Sequence, residues 1–144
     1  MGSLPTSRES VGVYGKIPAQ GDFVRINASD HAAQALDQWI QESLDAVQRA
    51  GAEFPSEPVF FLHHGPHPQL PATVGALVAS QDSVGRAYPL IVFTRIDPTW
   101  LPNRFPAVPT GFGMFLLDAA RILRDRSRAD AALLSTWLRT LRVP

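Results

Sequence analysis

The sequence contains no cysteine, a single lysine and no long apolar run, and each scarcity excludes a class of protein. Without cysteine, disulfide scaffolds and thiolate chemistry are excluded. No stretch approaches the roughly 20 apolar residues of a membrane-spanning helix. Residues 1–10 lack the basic and apolar segments of a signal peptide. We therefore expect a cytoplasmic protein with a mobile N-terminus at 1–10 and one domain over 11–144.

Charge is balanced overall but unevenly distributed. Thirteen cations, all arginine except Lys16, cancel thirteen acids. Residues 1–60 hold four cations and eight acids, whereas residues 121–144 hold six arginines and two aspartates. The scattered cations and zero net charge disfavour nucleic-acid binding. The basic end indicates either complementation of helix dipoles or orientation towards a charged partner.

Apolar periodicity and turn residues predict an ordered series of strands and helices. We expect strands at 11–14, 22–26, 58–63, 73–80 and 89–96, and helices at about 30–50, 112–123 and 133–141. The apolar run at 89–94 predicts a central strand, and 58–63 a buried one. Four prolines in 97–110 predict a surface linker.

This order, β-β-α-β-β-β-α-α, predicts an α/β protein of the α+β type. We expect a single domain with a mostly antiparallel five-stranded sheet and helices on both faces. The order is similar to that of longin and roadblock-like domains, which are mostly scaffolds and partners of small GTPases. Because fold does not imply function, this likeness is only a secondary guide.

The ends of the first helix carry capping residues. Asn27 or Ser29 is expected to cap its start, with Asp30 in the first turn, and Gly51 to follow its end. Apolar residues repeat on one face at spacings of three and four, and they include Trp39. We interpret Trp39 and Trp137 as core residues, and Trp100 in the linker as a possible exposed contact.

No catalytic or metal-binding set emerges from the motifs. Lys16 follows a glycine, but the segment lacks the P-loop spacing and the following helix. His63, His64 and His67 could be metal ligands, yet adjacent strand residues point to opposite faces and no carboxylate lies close. The chain has no Gly-x-Ser-x-Gly elbow for serine catalysis. We therefore expect a non-enzymatic protein without cofactor or metal.

Two glycine-containing segments, 12–25 and 80–90, carry most of the information. Each places a carboxylate near an arginine beside a predicted strand: Asp22 with Arg25, and Asp82 with Arg86. Two interpretations stay open. These residues and Lys16 either form ion pairs that tie the two loops together, or they form a partner-binding patch. The two are compatible, since ion pairs can preorganise a recognition surface.

The same segments match an ordered set of family motifs. Residues 12–23 read Gly-Val-Tyr-Gly-Lys-Ile-Pro-Ala-Gln-Gly-Asp-Phe, and residues 80–90 read Ser-Gln-Asp-Ser-Val-Gly-Arg-Ala-Tyr-Pro-Leu. Together with the stretch around Trp39, they resemble the TagF (ImpM-like) family of type VI secretion-associated proteins. The likeness covers roughly residues 11–95. It departs at 58–62, where the family's tryptophan and arginine are absent.

The resemblance implies a cytoplasmic, non-enzymatic regulator that restrains type VI secretion after translation. It implies a protein partner such as a forkhead-associated scaffold of the secretion apparatus. The alternative is a longin- or roadblock-like partner of a small GTPase, which would bind in a nucleotide-sensitive manner. The apolar helix faces are compatible with a core or with a homodimer. The chain is short for the family, so a C-terminal regulatory portion is expected to be missing from it.

Overall fold

A computed structural model describes residues 11–65, 71–97 and 105–143. Its strands are β1 (Val11–Gly15), β2 (Val24–Ile26), β3 (Val59–His63), β4 (Ala72–Val78) and β5 (Leu90–Ile96). Its helices are α1 (His31–Arg49), α2 (Val108–Gly111), α3 (Gly113–Arg124) and α4 (Ala131–Leu138). Short 3-10 turns at Phe105–Ala107 and Arg126–Arg128 precede α2 and α4. The predicted α+β fold class is confirmed, and α2 is an additional short helix.

The five strands form one antiparallel sheet in the order β2-β1-β5-β4-β3. The apolar strand β5 lies at its centre, as its composition predicts. Leu90 in β5 pairs with Gly15 at the end of β1 and with Val78 at the end of β4. The loops that follow β1 and β4 therefore leave the sheet side by side.

Helices cover both faces of the sheet, and each face has its own core. The larger core packs the sheet against α2, α3 and α4 and includes Phe112, Phe115 and Leu134. The smaller core packs the other face against α1 through Leu36 and Ile40. This arrangement follows from the strand period of two, which sends alternate apolar residues to opposite faces.

Helix α1 begins and ends at residues that commonly terminate helices. Its N-cap is Asp30, whose carboxylate accepts a hydrogen bond from the Ala33 N–H. The prediction that Asn27 or Ser29 caps the helix is therefore wrong. Asp30 also pairs with Arg95 of β5, and the hydrogen bonds from Arg95 lower the pKa of that carboxyl. Gly51 follows the helix end with φ +67°, the left-handed conformation expected there.

Two further expectations are wrong. Strand β3 is an edge strand with two exposed residues, not a buried strand, because an apolar run does not reveal which strands flank it. The proline-rich stretch 97–110 is not only a surface linker. It contains the short helix α2, whose Val108 is buried, since proline is tolerated in a first helical turn.

Candidate functional site

The side-by-side loops, β1–β2 (16–23) and β4–β5 (79–89), meet at a buried carboxylate. Asp82 has a side chain that is 0% exposed. One of its oxygens accepts the Lys16 ammonium at 3.0 Å and the Arg86 Nε–H at 2.8 Å. We call these three residues the latch. Two cations around one carboxylate leave a net positive charge at the junction.

The other oxygen of Asp82 organises its own loop. It accepts the backbone N–H groups of Val84 and Arg86, each at 2.9 Å. Gly85 takes φ +90°, which lets the chain turn tightly around the carboxylate. Burial would raise the pKa of Asp82, but these hydrogen bonds and the two cations hold the pKa well below its usual range. Asp82 is therefore ionised at neutral pH.

Backbone groups also join the two loops. The Ser83 N–H donates to the Gln20 carbonyl at 2.9 Å, and Arg86 Nη2 donates to the Gly21 carbonyl at 2.9 Å. The Ser80 hydroxyl donates to the Lys16 carbonyl at 2.7 Å. The two loops consequently form one hydrogen-bonded unit rather than two independent flaps.

A layer of aromatic rings adjoins this unit. Phe23 stacks on Tyr14 at 5.4 Å and meets the edge of Tyr88 at 4.9 Å. The Lys16 ammonium lies 4.9 Å from the Phe23 ring centre, and the Arg25 guanidinium 4.5 Å from that of Tyr14. Cation–π contacts of this kind favour both the aromatic ring position and the charge. Residues from both loops and β1 are thus fixed together.

A hydrogen bond connects this layer to helix α1. The Tyr88 hydroxyl donates to the Asp37 carboxylate at 2.7 Å. Burial and the nearby Asp37 raise the pKa of Tyr88, and burial first of all raises that of Tyr14. Both phenols therefore stay protonated at ordinary pH. Asp37 was not predicted as a site residue, although it lies in the stretch that the resemblance singles out.

The structure brings together only part of the predicted residue set. Lys16, Asp82 and Arg86 meet in the latch. Asp22 and Arg25 form no ion pair with each other in the described part of the chain. Arg25 instead donates to the Ala28 carbonyl and covers Tyr14. Trp100 lies outside the described residues.

Three side chains of the two loops are exposed to solvent. Val84, at 73%, is the most exposed large apolar residue described, and Phe23 is 37% exposed. The Arg86 side chain is 63% exposed although its Nε–H is bound. An apolar pair beside a cation, held by buried ion pairs, is typical of a protein-recognition surface. We call Phe23, Val84 and Arg86 the loop surface.

A known protein family matches the part of the chain that contains both loops. The model of the TagF N-terminal domain, described as type VI secretion system-associated, matches residues 12–135. The chain belongs to the TagF N-terminal domain family. Both loops of the site lie inside the matched range, which agrees with the motif resemblance.

A solved structure shares the fold of this TagF domain. The crystal structure of PA0076 from Pseudomonas aeruginosa PAO1 superposes with a TM-score of 0.75 and 24% sequence identity. The match covers 94% of this chain and 64% of that chain, so the chain spans less than two thirds of PA0076. Among curated protein sequences, none matches. No helix in the described residues is long and apolar enough to cross a membrane.

A second ion-pair cluster in the TagF domain explains part of the basic C-terminal excess. Arg142 binds the buried Asp118 through two hydrogen bonds of 3.0 Å, and Arg121 lies 3.7 Å from the same carboxylate. Arg124 pairs with Glu57 at 3.3 Å. Arg121 and Arg124 also occupy the last turn of α3, where cations complement the helix dipole. Arg121, Arg124 and Arg142 therefore each have an acidic partner within the domain.

His31, His63 and His64 of the TagF domain line a groove of about 510 Å³ between α1 and β3. His63 stacks on Trp39 at 4.9 Å, and burial lowers the pKa of His63. His64 lines the same groove, so the prediction of opposite faces is wrong because strand alternation ends at His63. Within residues 11–65, 71–97 and 105–143 no three-residue group fits a metal ion. His67 lies outside these ranges.

Proposed function

We propose that this protein is a cytoplasmic, non-enzymatic regulator that restrains type VI secretion after translation by binding a protein of the secretion apparatus. The observation that carries the proposal is the latch-supported loop surface inside the matched TagF domain. The proposed partner is a forkhead-associated scaffold of the apparatus. The binding residues are Phe23, Val84 and Arg86.

The physical support is preorganisation. A loop that is ordered before binding loses less conformational entropy when the partner arrives. Here a buried carboxylate, two cations and three cross-loop hydrogen bonds order the loops in advance. The exposed apolar atoms of Val84 and Phe23 supply contact area, and the exposed part of Arg86 supplies direction towards an acceptor.

The test compares partner capture by four variants that leave the latch carboxylate in place. Val84→Asp and Arg86→Ala change the loop surface. Leu117→Asp and Arg139→Ala make the same kinds of change at exposed positions of α3 and after α4. Tagged proteins are incubated with native lysate, with GDP or a GTP analogue added, and captured proteins are identified by mass spectrometry.

We expect the wild type, Leu117→Asp and Arg139→Ala to recover a secretion component irrespective of nucleotide, and the two loop-surface variants to lose it. Retention of that component by all variants would contradict the assignment of the surface. Recovery of a small GTPase in only one nucleotide state would replace the proposal by the alternative. In cells, overproduced wild type is expected to lower secretion while apparatus protein levels stay constant, whereas Val84→Asp does not.

A further inference from the structure

Strand β3 forms an open apolar edge of the sheet. Its five residues, Val59–His63, contain neither proline nor a charged side chain at neutral pH. In the described part of the chain, no strand pairs with its outer side. Phe60 is 52% exposed and Val59 39% exposed. The opposite edge differs, since β2 has three residues and carries Arg25.

An edge of this kind is a template for strand pairing. Its outward N–H and C=O groups have no partner in the sheet, and monomeric proteins protect such edges with charges, prolines, bulges or very short strands. β3 has none of these protections and pairs with β4 over its full length in regular register. The helices lie on the faces of the sheet, since Trp39 of α1 contacts Phe61 and His63 and α3 packs over β4 and β5.

We propose that β3 pairs antiparallel with β3 of a second copy of this chain, around a two-fold axis at Phe61. The pairing joins two five-stranded sheets into one of ten strands. It places Phe60 of one copy opposite Leu62 of the other, both on the sheet face that carries the larger core, as their β4 partners Ala76 and Val74 show. On the other face, Phe61 lies beside its own copy.

The complementary side chains at the two ends of β3 favour the second copy as the occupant. Antiparallel pairing puts Glu57, before β3, next to His64, after β3, of the other copy. Glu57 is an acidic and His64 a basic side chain, and both are exposed. The two Glu57–Arg124 pairs then lie at opposite ends of the joint, so that like charges do not meet. A symmetric joint of one patch with itself is the usual form of a dimer interface.

The cysteine-free sequence allows a direct test of this register. Residues opposite each other in antiparallel strands have Cα atoms about 4.5–5.5 Å apart, within disulfide range. Phe61→Cys is therefore expected to cross-link to its own copy under mild oxidation. A mixture of Phe60→Cys and Leu62→Cys proteins is expected to cross-link as well. Val59→Cys is the matched control, because its two copies are four residues out of register.

The oligomeric state is measured on the intact chain by analytical ultracentrifugation. We expect wild type to sediment at twice its mass of 15.7 kDa and Phe60→Glu to sediment as a monomer with unchanged circular dichroism. A wild type that stays monomeric at all concentrations would overturn the proposal, as would a dimer that Phe60→Glu leaves intact. Equal cross-linking of Val59→Cys and Phe61→Cys would overturn the register. The inference does not depend on the proposed function.

Discussion

The Lys16 ammonium lies 3.0 Å from a carboxylate oxygen of Asp82, although 66 residues separate the two in the sequence. Their proximity follows from the sheet, because Gly15 and Val78 flank the same residue of β5. The only lysine of the chain thus serves to close two loops. Arg86 is the second cation paired with Asp82, and its exposed side chain is part of the loop surface.

The two cations of the latch are expected to differ in their effect on stability. Lys16→Met removes a buried partner and leaves Asp82 undercompensated, which is strongly destabilising. We expect the melting temperature to fall on the order of 10 °C. Arg86→Ala removes a mostly exposed partner, so we expect the melting temperature to change by no more than about 3 °C. Differential scanning calorimetry of both variants beside wild type measures this, and an equal loss would contradict the burial argument.

Acid stability is expected to depend on Asp82. Its pKa lies below the ordinary value of 3.8 in the folded state, so the unfolded state binds one more proton between the two pKa values. This stabilisation is complete above about pH 4–5 and is lost as the pH falls through the folded pKa. Asp82→Asn lacks this charge-dependent stabilisation. The difference in free energy of unfolding between wild type and Asp82→Asn should therefore shrink as the pH is lowered.

Urea unfolding of the two proteins at neutral and acid pH measures this difference. Asp30 also has a lowered pKa and titrates in both proteins, so it cancels in the comparison. A deficit of Asp82→Asn that stays constant down to acid pH would show that the carboxylate charge is not what stabilises the latch.

Gly75 in β4 is expected to tolerate no side chain. A Cβ atom there would lie 2.2 Å from the Val92 carbonyl oxygen and 2.8 Å from the Phe93 Cα. Because both atoms belong to the central strand, relief requires the sheet to move, and Gly75→Ala should cost about 3 kcal/mol or more. Gly111→Ala is the control, since nothing lies within 4 Å of the added atom. Its stability should stay unchanged or rise by up to about 1 kcal/mol.

Chemical denaturation of the two glycine variants gives the comparison directly. A Gly75→Ala protein as stable as Gly111→Ala would mean that β4 and β5 do not approach as closely as the structure shows.

The two tyrosines provide an internal pH probe. Tyr14 and Tyr88 are the only tyrosines, and both have a pKa above the ordinary value of 10.0. The folded state retains these protons, so stability falls as pH rises above about 10. We expect tyrosinate absorbance to appear together with the loss of circular dichroism during alkaline titration.

Tyr88→Phe sharpens that experiment. It removes one phenol and its hydrogen bond to Asp37, and the free energy of unfolding should fall by about 1.5–3 kcal/mol, the usual range for a bond to a charged group. The alkaline absorbance change should fall by half. A normal tyrosinate titration at about pH 10 in still-folded wild type would contradict the burial of these phenols.

Local sequence signals predict where the strands and helices of this fold lie better than they predict which elements pack beside each other. The apolar run at 89–94 indicates a central strand, and β5 is central. The similar run at 58–63 became an edge strand, because the number of flanking strands is not encoded in the run itself. Position 30 was predicted in the first turn but is the cap, since capping depends on which backbone N–H the carboxylate reaches.

The site shows the same division. The motifs indicate the loops and the participation of Lys16, Asp82 and Arg86. They do not indicate that Arg25 contacts the ring of Tyr14 rather than the carboxylate of Asp22. This contact depends on where β2 lies relative to Tyr14. The motifs do not indicate Asp37 either, because a helical aspartate normally faces solvent, whereas here Tyr88 approaches it from the β4–β5 loop.

The sequence alone determined the strand and helix order, the turn glycines and the family motifs, because these depend on residue periodicity and local backbone preference. Only the tertiary structure decided which charges pair, which strand is left at the edge and which apolar residues stay exposed. Those outcomes depend on distances between segments far apart in the chain, and the sheet order fixes such distances. The latch and the open β3 edge are both consequences of the order β2-β1-β5-β4-β3.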